Sequence, residues 1–128
     1  MKRRTARQKA VQTLYQVDLA KTEWQEALHN VTGNQQDEFL TQLIEGIRDQ
    51  LEQIDATLVP HLNKWTLDRL PHVDRAILRI AVYEMLYSED VPAEVAINEA
   101  VELAKEFGTD QSSKFINGVL SSIAKQGV

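Results

Sequence analysis

A chain of 128 residues with a formal net charge of −5 is long enough for one compact domain, and with no cysteine it has no disulfide to rely on. No uncharged apolar run approaches the ~20 residues of a membrane span, and no apolar segment follows the basic start, so the expectation is a cytoplasmic protein without a membrane partner. Its charge is unevenly placed: residues 1–17 contain Lys2, Arg3, Arg4, Arg7 and Lys9 and no acid, while the other 9 of 14 basic residues face all 19 acidic ones. Such an end suits a phosphate-bearing partner, and its plainer reading is a solvated basic tail.

Helical spacing dominates and no segment alternates in the manner of a strand, which predicts an all-α fold of about seven helices. The first helix should cover residues 3–20. In it Arg3, Arg4 and Arg7 share a side with Ala10, Val11 and Leu14, so the arginines lie at the rim of the packing face, where cations in a first turn oppose the helix dipole. A short helix over residues 24–30 precedes a break at Gly33. The run Phe39, Leu40, Leu43, Ile44, Ile47, Leu51, Ile54 and Leu58 predicts one long amphipathic helix ending near Pro60.

Thr66 is placed to cap a short turn that Pro71 stops. Beyond it, Ile77, Leu78, Ile80, Ala81, Val82, Met85 and Leu86 leave a helix apolar nearly all round, which should be the buried centre. Ala96, Ile97, Ala100, Val101, Leu103, Ala104 and Phe107 line the next helix, with Gly108 as its terminator. Thr109 or Asp110 caps a last helix striped with Phe115, Ile116, Val119, Leu120 and Ile123. The domain is read as a single unit over residues 1–128, with helical subdomains at 1–60 and 61–128.

Catalytic constellations are weak. His29, His61 and His72 are not at metal-ligand spacing, the five glycines are isolated, and Asp74 and Glu84 read as solvated carboxylates rather than an acid/base pair. The expectation is a protein that is not an enzyme and carries no cofactor or metal. Nucleic-acid binding fares better: the basic end supplies charge, with Gln8, Gln12 and Tyr15 as further contacts. The segment 109–114 offers a second surface, a helix N-terminus with Gln111, Ser112, Ser113 and Lys114, whose plainer reading is ordinary capping.

Longer motifs are recognisable. Arg3-Arg4-Thr5-Ala6-Arg7 with Ala10-Val11-Gln12-Thr13-Leu14-Tyr15 resembles the start of the bacterial NusB family of transcription antitermination factors. Val73-Asp74-Arg75-Ala76-Ile77-Leu78-Arg79-Ile80-Ala81-Val82-Tyr83-Glu84, Ala96-Ile97-Asn98-Glu99-Ala100 and Lys114-Phe115-Ile116-Asn117-Gly118-Val119-Leu120 are similar to its later helices. The resemblance implies an all-α, NusB-like fold of two packed three-helix-type subdomains, without catalysis. It implies binding of boxA RNA with NusE, a small-subunit ribosomal protein, within an RNA polymerase antitermination complex that includes other Nus factors. On that precedent Lys2, Arg3, Arg4, Arg7, Arg79, Gln111, Lys114 and Phe115 face RNA, and Asp74 and Tyr15 face NusE. A homodimer, a protein-only adaptor and an accessory domain of an RNA methyltransferase are the competing readings; the last requires the chain to be a fragment.

Overall fold

Among the described residues, which in this computed structural model are 1–127, seven α-helices and two single-turn 3₁₀ segments follow one another and no strand occurs. They are α1 (Arg3–Leu19), α2 (Trp24–Thr32), α3 (Glu38–Asp49), α4 (Leu51–Leu58), α5 (His72–Tyr87), α6 (Ala93–Phe107) and α7 (Asp110–Lys125), with 3₁₀ turns at Val59–His61 and Leu67–Arg69.

The all-round apolar character of α5 is realised. Ala76, Ile77, Leu78, Ile80, Ala81 and Val82 are all buried, and α5 packs on α1, α3, α4, α6 and α7. Burying one Leu or Ile side chain contributes about 1.5–3 kcal/mol, so this helix anchors the single core cluster to which α1 and α3 to α7 all contribute. Packing does not divide at residue 60: α4 lies with α5 and α7, while α3 lies with α1, α2 and α5.

That division of neighbours explains the main departure from expectation. Residues 38–58 form two helices, not one, because Gln50 leaves the helical region at φ −109°, ψ 18°. The bend lets Ile44 and Ile47 face one set of partners and Ile54 and Leu58 another. Acceptors also come from unforeseen places. The Glu23 carboxylate accepts from the N–H groups of Gln25 and Glu26, and Asp37 accepts from that of Leu40, capping α2 and α3. Thr66 precedes its 3₁₀ turn but makes no side-chain cap.

Two glycines with opposite surroundings give a paired test. A methyl group on Gly46 would run into the ring of Tyr83, whereas one on Gly118, mid-helix in α7, would meet nothing within 4 Å. Gly46→Ala is expected to cost about 1–3 kcal/mol through overpacking. Gly118→Ala should instead stabilise by about 0.5–1 kcal/mol by restricting the unfolded chain. Urea unfolding of the two variants beside the parent checks both signs.

Candidate nucleic-acid interface

The basic end is not a frayed tail. Helix α1 begins at Arg3 with Lys2 extended and exposed before it, and carboxylates from distant parts of the chain meet its cations. An Arg3 amino group donates to Asp90 at 2.9 Å, and its guanidinium lies 4.8 Å from the centroid of the Phe39 ring. Arg4 donates twice to Glu99, at 3.1 and 2.6 Å, which holds the Glu99 carboxyl below its usual range. The anions that offset the dipole penalty of the first turn therefore come from this chain itself.

Arg7 corrects the sequence reading. Only 5% exposed, it makes a bidentate pair with buried Glu84 at 2.8 and 2.7 Å and reaches Glu99 at 3.5 Å. Its fork is taken up inside the protein, so phosphate has no access to it, and Glu84 is a buried counter-ion rather than a solvated carboxylate. Arg79 is corrected in the same way. It is 9% exposed, with both carboxylate oxygens of Asp55 at 2.9 Å and Asp18 at 3.2 Å. Arg75 also donates to Asp18, to the Leu67 carbonyl and to Nδ1 of His72. Since arginine only donates, His72 Nδ1 is an acceptor and the ring proton sits on Nε2. This knot ties α1, α4 and α5 together below the surface.

Asp74 is likewise no solvated group. It is 6% exposed and accepts the Ser112 hydroxyl at 2.9 Å. Ser112 Oγ in turn accepts the Thr109 N–H at 3.1 Å, so the plainer capping reading of the α7 start describes Ser112. Gly108 belongs to this cap through space rather than through a left-handed turn. Its φ is −103°, and a Cβ there would sit 2.7 Å from Ser112 Oγ.

Burial pushes the Asp74 carboxyl above its ordinary range, partly offset by the Ser112 hydrogen bond. Between the ordinary and raised values the folded state binds the extra proton, so stability falls as pH rises through that window. Asp74→Asn keeps an acceptor for Ser112 and carries no charge. Its melting temperature relative to the parent should therefore be higher at pH 7 than below the window, which thermal unfolding at the two pH values checks.

Four of the expected residues do converge. Tyr15, Asp74, Gln111 and Phe115 line one groove of about 500 Å³ between the ends of α1 and α6 and the starts of α5 and α7. Lys114 is exposed on α7 beside Phe115. A second hollow of about 540 Å³ shares Tyr15, Val73 and Phe107 with the first and adds Gln12 and Asn30. The groove also holds a residue that sequence reasoning missed, Trp65, 45% exposed and edge-on to Phe115 with 6.4 Å between centroids. Its signal was its neighbour Lys64, a cation beside an aromatic.

Arg4 and Tyr15 lie eleven residues apart, only ~20° out of phase and about 17 Å along α1. Gln8 and Gln12 fall between them at i+4 steps, and Arg4, Gln12 and Tyr15 are exposed. One polar row thus leads from the cationic turn to the groove. Lys2, Arg3 and Arg4 stand at its far end, and Gln111, Lys114 and Phe115 at its near end.

A profile of the NusB family matches residues 4–125. Among curated proteins the chain is similar to "Transcription antitermination protein NusB" of Geobacillus kaustophilus, 54% identical over 96% of this chain and 95% of that one. The Bacillus licheniformis protein of the same name is 52% identical over 96% of each. Among solved structures it is similar to T. maritima NusB, with a TM-score of 0.90 and 37% identity over 98% of this chain and 92% of that one. It is similar as well to a chain in the crystal structure of antitermination factors NusB and NusE with double-stranded RNA, at TM-score 0.87 and 29% identity over 97% and 96%. These relatives are matched over nearly their whole length.

Proposed function

The chain belongs to the NusB family of transcription antitermination proteins, and from that premise we propose that it binds boxA-type single-stranded RNA of nascent ribosomal transcripts together with NusE. In this reading the pair enters an antitermination complex on RNA polymerase with other Nus factors. The carrying observation is the row Arg4, Gln8, Gln12 and Tyr15, which joins a cationic turn to an aromatic groove. Phosphate contacts fall to Lys2, Arg3, Arg4 and Lys114, which supply affinity and on-rate, and base contacts to Gln111 and Phe115. The solved complex of a similar chain with NusE and RNA supports both partners.

Arg7 and Arg79 act in this reading by holding α1 and α5 in place, because their guanidinium groups are paired below the surface. Asp74 acts through Ser112 on the groove floor rather than by offering a charge to NusE. Tyr15, exposed on the wall between the two hollows, remains the residue assigned to NusE, with the apolar floor of Val11, Val31, Val73 and Phe107 beside it. A homodimer covering the RNA surface would compete with NusE and RNA, which sedimentation with and without NusE tests.

Fluorescence anisotropy with a boxA-type RNA and a scrambled control, with and without NusE, tests the reading. NusE is expected to raise the preference for boxA. Lys114→Ala should weaken both RNAs alike, as loss of a phosphate contact does, whereas Gln111→Ala should narrow the preference itself by roughly fivefold or more. Absence of RNA binding under every condition leaves the protein-only adaptor as the better account.

A further inference from the structure

Trp65 is the largest aromatic side chain left open at the groove, and the fold holds it there. Its loop is fastened at both ends: Leu62 and Leu70 are buried, His61 Nδ1 lies 2.8 Å from the Ser122 hydroxyl, and the backbone N–H of Trp65 donates to the Leu62 carbonyl at 3.1 Å. Asn63, at φ 59°, makes the reversal that brings the indole round. An indole kept 45% exposed on an anchored loop forgoes apolar burial it would gain by folding inward.

We propose that Trp65 is a stacking platform for a nucleobase of single-stranded RNA, with Phe115 supporting the indole from its edge. This rests on the RNA reading of the groove given above and extends it to a residue outside that reading. Chemistry favours a base over a protein side chain. Exposed Lys64 and Lys114 adjoin the two aromatic residues in sequence, and Arg69 is exposed on the same connection. These three exposed cations lie in the two segments that bound the groove, in a chain of net −5. Aromatic faces between cations are the arrangement with which single strands are held. His72, Thr109 and Gln111 line the same groove and offer hydrogen bonds to the edge of a stacked base.

Trp24 and Trp65 are the two tryptophans, so Trp24→Phe leaves Trp65 as the one indole reporter. In that background, with the fold verified by circular dichroism, a short boxA-type RNA is expected to quench the emission, and inorganic polyphosphate is not. Trp65→Leu should weaken RNA binding by roughly tenfold, and Trp65→Phe, which keeps a ring, should retain most of it. RNA binding by Trp65→Leu at parental strength overturns the proposal while the RNA reading stands, as does emission that answers to NusE but not to RNA. RNA that binds neither the parent nor Trp24→Phe overturns both.

Discussion

Glu84→Ala is expected to lower the unfolding free energy by about 3–5 kcal/mol, because it strands the Arg7 guanidinium, 5% exposed, without its counter-ion. Against a total stability of about 5–15 kcal/mol for an ordinary domain this is a large fraction. It should appear as a fall in the urea midpoint with little change in slope. Glu99 does not rescue it: that carboxylate lies 3.5 Å from Arg7 and is held by Arg4 at 2.6 Å. Arg7→Ala should be comparably harmful, since it leaves Glu84, 1% exposed, as the unpaired buried charge.

Removing both charges separates attraction from desolvation. Ile77, Ile80, Ala81, Ala96, Ala100 and Leu103 surround the pair, so Arg7→Met with Glu84→Met substitutes apolar volume in an apolar setting. Beside the single variants Arg7→Met and Glu84→Met, the double variant is expected to recover most of either single loss, giving a large coupling energy in the cycle. A double variant as unstable as the sum of the singles would mean that the two side chains are not coupled and that each single loss arises from packing alone. Either way, substitutions at Arg7 report on folding before they report on RNA.

Why these charges escaped the sequence reading is physical. Helix periodicity registers where apolar residues recur, and it found α5, α6 and α7 because their stripes or all-round character are local properties. Arg7 and Glu84 are 77 residues apart and Arg79 and Asp18 are 61 apart, so each looks like a surface charge until the chain brings the partners together. One clue was present: Glu84 sits among Ile80, Ala81, Val82, Met85 and Leu86, and a carboxylate on a helix apolar all round must find a cation. The bend at Gln50 left no clue of that kind. Apolar spacings of three and four continue across it through Ile47, Leu51, Ile54 and Leu58, and no Gly or Pro marks it. Phe115 entered through family resemblance, Tyr15 and Gln111 already as candidate contacts on the first helix and at the start of the last, and the groove gathers all three. Trp65 lies in a stretch without family-like motifs, where its neighbour Lys64 was the one clue, and its exposure at the groove gives that clue its meaning.

Arg3→Ala with Arg4→Ala is expected to remove about half of the electrostatic part of RNA binding while leaving the fold intact. Both side chains are more than half exposed, and their ion pairs with Asp90 and Glu99 are of the weak surface kind. With Lys2, Arg3, Arg4 and Lys114 on about four phosphates, log K should fall against log salt with a slope near −3 at ~0.7 per contact, and the double variant should show a slope near −1.5. At 0.1 M salt this corresponds to roughly twentyfold weaker binding. An unchanged slope would take the cationic turn out of the mechanism.

Because Asp90 and Glu99 already occupy the donors that phosphate needs, the same geometry makes an opposite prediction for the acidic partner. Glu99→Gln frees Arg4, while Arg7 keeps Glu84. It should therefore strengthen RNA binding at low salt, and the gain should vanish at high salt, where the intramolecular pair is screened as fully as the phosphate contact. Anisotropy titrations across a salt series separate this from a general change in net charge, for which Glu52→Gln, exposed on α4, is the control.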